Sequence, residues 1–280
     1  MLAAGLAAGL WAGLWMLFPA QAATPAASVH LEDMTGPELA QRMAAGANTV
    51  LIPLGGTEQN GPHMALGKHN ARVRVLAERI AQQLGTAVVA PVLAYVPEGN
   101  IKPPTQHMRW PGTISITPAA FEATLEGAAR SFRQHGLCHV VLLGDHGGYR
   151  ASLQRVAAKI NREWAATPCR VHPLPEYYRA ASADHAQALK AQGFSEAEIG
   201  SHAGLADTAL TLATVPALVR AEALARNIGH DNAGVAGDPR RASAELGRPG
   251  VEHIVAVSVA AIRAAVLPTT RATTRPGASP

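Results

Sequence analysis

Residues 49–85, TVLIPLGGTEQNGPHMALGKHNARVRVLAERIAQQLG, decide how this chain is read. The first six residues form an unbroken apolar run ending in two glycines, the pattern of a strand buried on both faces. From Leu66 onward, apolar residues recur at three-to-four spacing until Gly85, the pattern of an amphipathic helix with a glycine stop. Between them lies a loop crowded with Glu58, Gln59, Asn60 and His63, with His69 just beyond it. Taken alone, the loop is either a catalytic site or a polar turn that happens to be rich in histidine.

The same alternation continues along the chain. TGPELAQRMAAG (35–46) reads as a helix capped by Thr35. TAVVAPVLAYV (86–96) reads as a strand, and TPAAFEATLEGAARSFRQHG (117–136) as a helix with Thr117 at its cap and Pro118 at its first position. CHVVLLG (138–144) is a further strand, YRASLQRVAAKINREWAA (149–166) a helix, and CRVHPLP (169–175) a strand. The remainder is mostly helical, interrupted by HDNAGVAGDPRRAS (230–243) and ending in a helix around 251–267. Strands alternating with helices predict an α/β fold with a mostly parallel sheet. The scarcity of aromatic residues, 4%, against 48% hydrophobic residues argues the same way and against a β-sandwich. The expected organisation is one domain over 30–267 with a Pro/Thr/Arg-rich disordered tail over 268–280.

The N-terminal run LAAGLAAGLWAGLWMLF, followed by PAQA with Ala20 and Ala22 at small-residue positions, reads as a signal peptide over residues 1–22. No Lys or Arg precedes Arg42, so an uncleaved membrane anchor is the alternative, and membrane contact is expected only in that case. The expectation is an exported protein, periplasmic or secreted. Cys138 and Cys169 would then meet an oxidising compartment, where they either bond to each other or stay buried as thiols. The formal charge of +4 comes from dispersed basic residues without a basic helix or aromatic platform, so nucleic acid is not an expected partner.

In parallel sheets ligands bind beyond the carboxyl ends of the strands, where both histidine-bearing loops leave β-runs. His63, His69, His107, His146 and His202 fall in such loops, whereas His135, His139, His172, His185, His230 and His253 read as structural or solvated. Together with Glu58, Asp145 and Asp207, the five supply the nitrogen and oxygen donors that zinc or manganese takes. Gly61 and Pro62 make the turn that lets Glu58 and His69 face one pocket. Gly147 and Gly148 after His146 let the backbone approach an ion or substrate. GDHGG (144–148) also suits a plain glycine turn or a phosphate loop, but it lacks the phosphate-loop spacings.

Five ordered motifs resemble the creatininase family. LIPLGGTEQNGPHMALGKHN is similar to G-[ST]-x-E-Q-H-G-P-H-L-P-L-x-T-D. WPGT (110–113) and GDHGG follow, the latter where the family has N-G-H-G-G-N. HAGLADTAL (202–210) is similar to H-A-G-E-x-E-T-S-L, and GVAGDPRRASAELG (234–247) to G-V-x-G-D-P-x-x-A-[ST]-x-E-x-G. The resemblance implies a three-layer α/β/α fold, a homo-oligomer, and a metal centre that hydrolyses C–N bonds of cyclic or other non-peptide small-molecule amides through metal-activated water. It implies Glu58 and His146 as metal ligands, His202 as the proton-transferring catalytic residue, and Asp207 as a ligand or a base beside the ion. Asn60 stands where the family has a metal-binding histidine, His69 where it has a bridging aspartate, and Gly148 where a carboxylate is found. The expectation is therefore one divalent ion per subunit, zinc before manganese or iron, on Glu58, His69, His146 and Asp207. His63 is placed beside His202 as a catalytic or substrate-positioning group. Asn60, His107 and Asp145 are expected to contact substrate, with Asp145 alternatively orienting His146. Creatinine itself is not the expected substrate, because Gly148 and the positions of Trp110 and Trp164 depart from what that reaction needs. The rival readings are a metallopeptidase or lactonase on the same scaffold, and a degenerate small-molecule binder.

Overall fold

The computed structural model describes residues 28–225 and 234–266. The expected signal, the tail over 268–280 and His230 lie outside the described residues. Thr49–Leu54 forms β1, buried at all six positions. It is flanked by two parallel neighbours, β2 (Ala87–Val89) and β3 (His139–Gly144), and β4 (Arg170–His172) pairs parallel to β3. The order is β2-β1-β3-β4.

The expected strand over 86–96 is shorter than its apolar run. Regular pairing stops at Val89, and only a single bridge between Leu54 and Leu93 resumes it. Pro91 has no N–H to donate, so the ladder breaks there.

Helices cover both faces, which makes the three-layer arrangement implied by the creatininase resemblance. On one face α1 (Gly36–Ala44), α3 (Pro118–Gln134) and α4 (Arg150–Glu163) pack on Val50, Ile52, Val140 and Leu142 through Leu39, Phe121, Leu125, Val156 and Ile160. On the other, α2 (Lys68–Leu84), α5 (Pro175–Arg179), α8 (Leu205–Thr214) and α10 (Ala244–Val266) pack on Leu51, Val89, Val141 and Leu143. The side-chain alternation of β1 sends Val50 to one core and Leu51 to the other. A π-helical turn (Ala180–Asp184) joins α5 to α6 (His185–Ala191), and the short α7 (Glu196–Ile199) and α9 (Ala221–Ala225) follow. Leu189, Ile199 and Leu205 form a third, smaller cluster.

The last helix starts earlier than its hydrophobic pattern indicates, at Ala244, and continues through Pro249. The proline forfeits one hydrogen bond near the helix start, while Val251, Ile254, Val255, Val259 and Ile262 bury the rest of it. Cys138 and Cys169, whose pairing the sequence left open, form a disulfide with Cα atoms 4.5 Å apart at the entry to β3 and β4.

Candidate metal centre

The carboxyl ends of β1 and β3, the loop after β2 and the first turn of α2 converge on Glu58, which is fully buried. Five nitrogens surround its carboxylate. Oε1 faces His69 Nε2 at 2.9 Å, His202 Nδ1 at 3.6 Å and Lys68 Nζ at 3.6 Å. Oε2 faces His107 Nε2 at 3.3 Å and His146 Nε2 at 3.5 Å. Burial alone would raise the Glu58 carboxyl, but the His69 hydrogen bond and the Lys68 charge outweigh it and hold it below the ordinary value.

Whether these residues suit a cation is answered by the atoms left without partners. Glu58 Oε2 is buried and accepts no hydrogen bond. Glu58, His107 and His146 present ligand atoms that all lie within 4.8 Å of one another. Donors bound to one tetrahedral ion at zinc-like bond lengths are about 3.3 Å apart, and the 3.3 and 3.5 Å spacings at Oε2 are of that size. His146 on this face is ready to coordinate, since burial keeps it neutral, with a pKa of about 3.

A second orphan stands beside it. Glu98, from the loop after β2, is fully buried, and neither of its oxygens has a hydrogen-bond partner. His146 Nδ1 lies 3.3 Å from its Oε2. Burial and the neighbouring Glu58 charge push its carboxyl up to about 9. Gly56, at φ 152°, makes room for it, because a Cβ there would lie 2.4 Å from Glu98 Oε1.

Lys68, His69 and Arg72 come from the first turn of α2, where i and i+4 share a face. Lys68 is fully buried and bonds the Asp207 carboxylate, whose other oxygen accepts from Arg72 at 2.6 Å. Arg72 also binds Asp145, at 2.8 Å. Burial would raise both aspartates, but Arg72 and Lys68 hold them below the usual range.

These contacts correct several sequence expectations. Asp207 does not join the donor cluster, because Lys68, Arg72 and the Ala203 N–H occupy its oxygens. Asp145 does not orient His146; it holds His69 Nδ1 at 2.6 Å and accepts from Tyr177 at 2.7 Å. It nonetheless lines the cavity, as do His107 and Asp207. Asn60 is fully buried; its amide nitrogen shapes the turn by donating to the carbonyls of Glu58 and Ala65, and its Oδ1 has no hydrogen-bond partner. His63 is fully buried with Nε2 3.0 Å from the Thr208 hydroxyl, which places it in the packing between loop and α8. His69 has a carboxylate at each ring nitrogen. His107, expected to touch substrate, sits in the donor cluster at the cavity wall. Gly147 serves the Tyr178 side chain, since a Cβ there would lie 2.6 Å from its hydroxyl.

Glu98, Gln59, Lys68 and Arg72 were not among the expected site residues. The i, i+4 spacing of Lys68 and Arg72 beside His69 was the available signal. Glu98 carried none, lying in a proline-rich loop without periodicity.

His202 completes the ring. Its Nε2 donates to the Gln59 carbonyl at 2.8 Å, its ring lies 4.2 Å from that of His107, and burial lowers it to about 4. The Gln59 amide lies 3.2 Å from both His107 Nδ1 and His202 Nε2. Among the described residues, the two non-glycine residues with positive φ are Gln106 (50°) and Ala203 (52°), each adjacent to one of these histidines. Such backbone is costly away from glycine and is held where surrounding structure demands it. The rings open onto a cavity of about 640 Å³, walled opposite by Ala181, Ser182, Ala183 and Ala186 near the π-helical turn.

Comparison with known proteins agrees with this geometry. The family description "Creatininase: Creatinine amidohydrolase" matches residues 32–262. A mycofactocin precursor peptide peptidase of Mycolicibacterium smegmatis is 34% identical over 130 residues, 44% of this chain and 50% of that one. This chain thus spans half the length of that relative. The creatinine amidohydrolase of Pseudomonas putida is 29% identical over 197 residues, covering 69% of this chain and 74% of its own. A mutant creatininase of Zn-Zn type superposes with a TM-score of 0.70 at 26% identity, over 87% of this chain and all of that one.

Proposed function

The chain belongs to the creatininase family, and on that premise we propose that it is a metal-dependent hydrolase cleaving a C–N bond in a small amide. The observation that carries this reading is the partnerless Oε2 of Glu58, facing His107 and His146. Glu58, His107 and His146 would hold one divalent ion, whose chemistry there is to lower the pKa of water and to polarise an amide carbonyl. A set of two imidazoles and one carboxylate favours zinc, with manganese or iron as alternatives.

The chain's own groups do the rest. His202, neutral at pH 7, takes up a proton at its free Nδ1 and then returns it to the leaving nitrogen. Gln59 fixes the His107 and His202 rings. Lys68 and Arg72 keep Asp207 charged and engaged, which leaves Glu58 to the ion.

The cavity favours a second reading on the same site. At about 640 Å³ with a wall of small residues, it has room for more than a small cyclic amide, and a short peptide fits its scale. Identity to a peptide-cleaving relative supports this alternative. Export is the proposed setting, supported by the apolar N-terminal run and the Cys138–Cys169 disulfide. A homo-oligomer is the proposed assembly, with Leu66, Tyr95, Ile101 and Ile114 exposed on the site's loops as the surface it would cover.

The test is Glu58→Gln, assayed for zinc content and for turnover of a panel of cyclic amides and short peptides. Loss of both is expected. Retention of both would overturn the reading, and which substrates the wild-type protein cleaves separates the two substrate classes.

A further inference from the structure

We propose that the Lys68 ammonium stands in for one cation of a two-cation centre, so that this chain takes a single divalent ion where its Zn-Zn relative carries two. The proposal rests on the metal-centre reading above. Lys68 is fully buried, bonded to Asp207 and 3.6 Å from Glu58 Oε1. A buried ammonium survives only beside carboxylates, and here two of them hold it.

The two oxygens of Glu58 therefore face different surroundings. Oε1 looks toward the fixed cation and the already engaged His69. Oε2 looks toward His107 and His146 and has no hydrogen-bond partner. One face is provided with a positive charge and the other lacks one.

Charge balance points the same way. Four carboxylates converge here, Glu58, Glu98, Asp145 and Asp207, against the fixed cations Lys68 and Arg72. The carboxylates outnumber the fixed cations, and Lys68 supplies one of those cations on the Oε1 side of Glu58. A second ion on the Oε1 side would face the Lys68 ammonium across the same carboxylate oxygen. Donors for it are fewer as well, since Gly148 has no side chain and Asn60 offers only its neutral Oδ1, its amide nitrogen being committed to two carbonyls.

Metal-free protein titrated with Zn²⁺ by calorimetry, with ions per chain counted by mass spectrometry after dialysis, tests this directly. Wild type should bind one ion. Lys68→Met, neutral and similar in length, should bind a second ion or bind the first about tenfold or more tightly. Lys68→Arg should stay at one. Lys68→Gln, which still donates to Asp207, serves in place of the methionine variant should that one not fold. Two ions on wild type, or one ion at wild-type affinity on the folded neutral variants, would overturn the proposal. Unchanged zinc binding by Glu58→Gln would instead overturn the metal-centre reading beneath it, a separate result.

Discussion

Asp145 reaches the Nδ1 edge of His69 at 2.6 Å and forms no hydrogen bond with the ring of His146, its neighbour in sequence. The same carboxylate accepts from Arg72 and Tyr177, so one buried anion ties α2 and α5 to the end of β3. Asp145→Asn should cost about 3–5 kcal/mol, because it leaves the Arg72 guanidinium short of a buried partner. Tyr177→Phe, which removes one hydrogen bond from the same group, should cost only about 1 kcal/mol. Urea unfolding of the two variants checks the ranking, and equal losses would remove the buried pair from its central role.

Glu98 predicts an opposite pair of effects. Its two oxygens have no hydrogen-bond partner among the described residues. Glu98→Gln should leave the metal-free protein as stable as wild type or more so, while weakening zinc binding by about tenfold. Melting curves with chelator and with zinc separate the two effects. A loss of stability in chelator would mean that Glu98 serves packing instead.

Close approach of α8 and α10 predicts a third outcome. A Cβ on Gly247 would lie 2.0 Å from the Ala209 carbonyl oxygen, which is backbone and cannot move aside cheaply. Gly247→Ala should therefore destabilise by about 1–3 kcal/mol. Gly127, inside α3, provides the contrast, because a Cβ there would meet nothing within 4 Å. Gly127→Ala should stabilise by about 0.5–1 kcal/mol through helix propensity. Denaturant midpoints of the two proteins should move in opposite directions.

Acid should weaken the fold through His185. It is 3% exposed, and burial lowers its pKa to about 4 from an ordinary 6.5. Between those values the unfolded chain binds a proton that the folded one refuses, so stability falls as pH drops through that window. The slope from one such group is at most about 1.4 kcal/mol per pH unit. His185→Gln should flatten it, measured as Tm against pH from about 7 to about 4; parallel curves for variant and wild type would place the effect elsewhere.

The fold was legible because burial on a parallel sheet leaves a local mark. Val50 to Leu54 are apolar on both faces, and α2, α3 and α4 carry their contacts at helical spacing. The misjudged boundaries lie at Pro91 and Pro249, where a missing N–H matters in one setting and is outweighed by burial in the other.

For the site, the sequence by itself determined which loops would meet, since parallel strands place the loops with Glu58 and His146 at the same end of the sheet, and the resemblance at 202–210 brings in His202. Only the tertiary structure decided what each group does there. Asp145 and Asp207 are carboxylates like Glu58 in composition, yet Arg72 and Lys68 neutralise them, and Glu98 arrives from a loop with no pattern to announce it. Periodicity records which face of an element is buried. It holds no record of which charge lies across the cavity, and at buried carboxylates that pairing sets the chemistry.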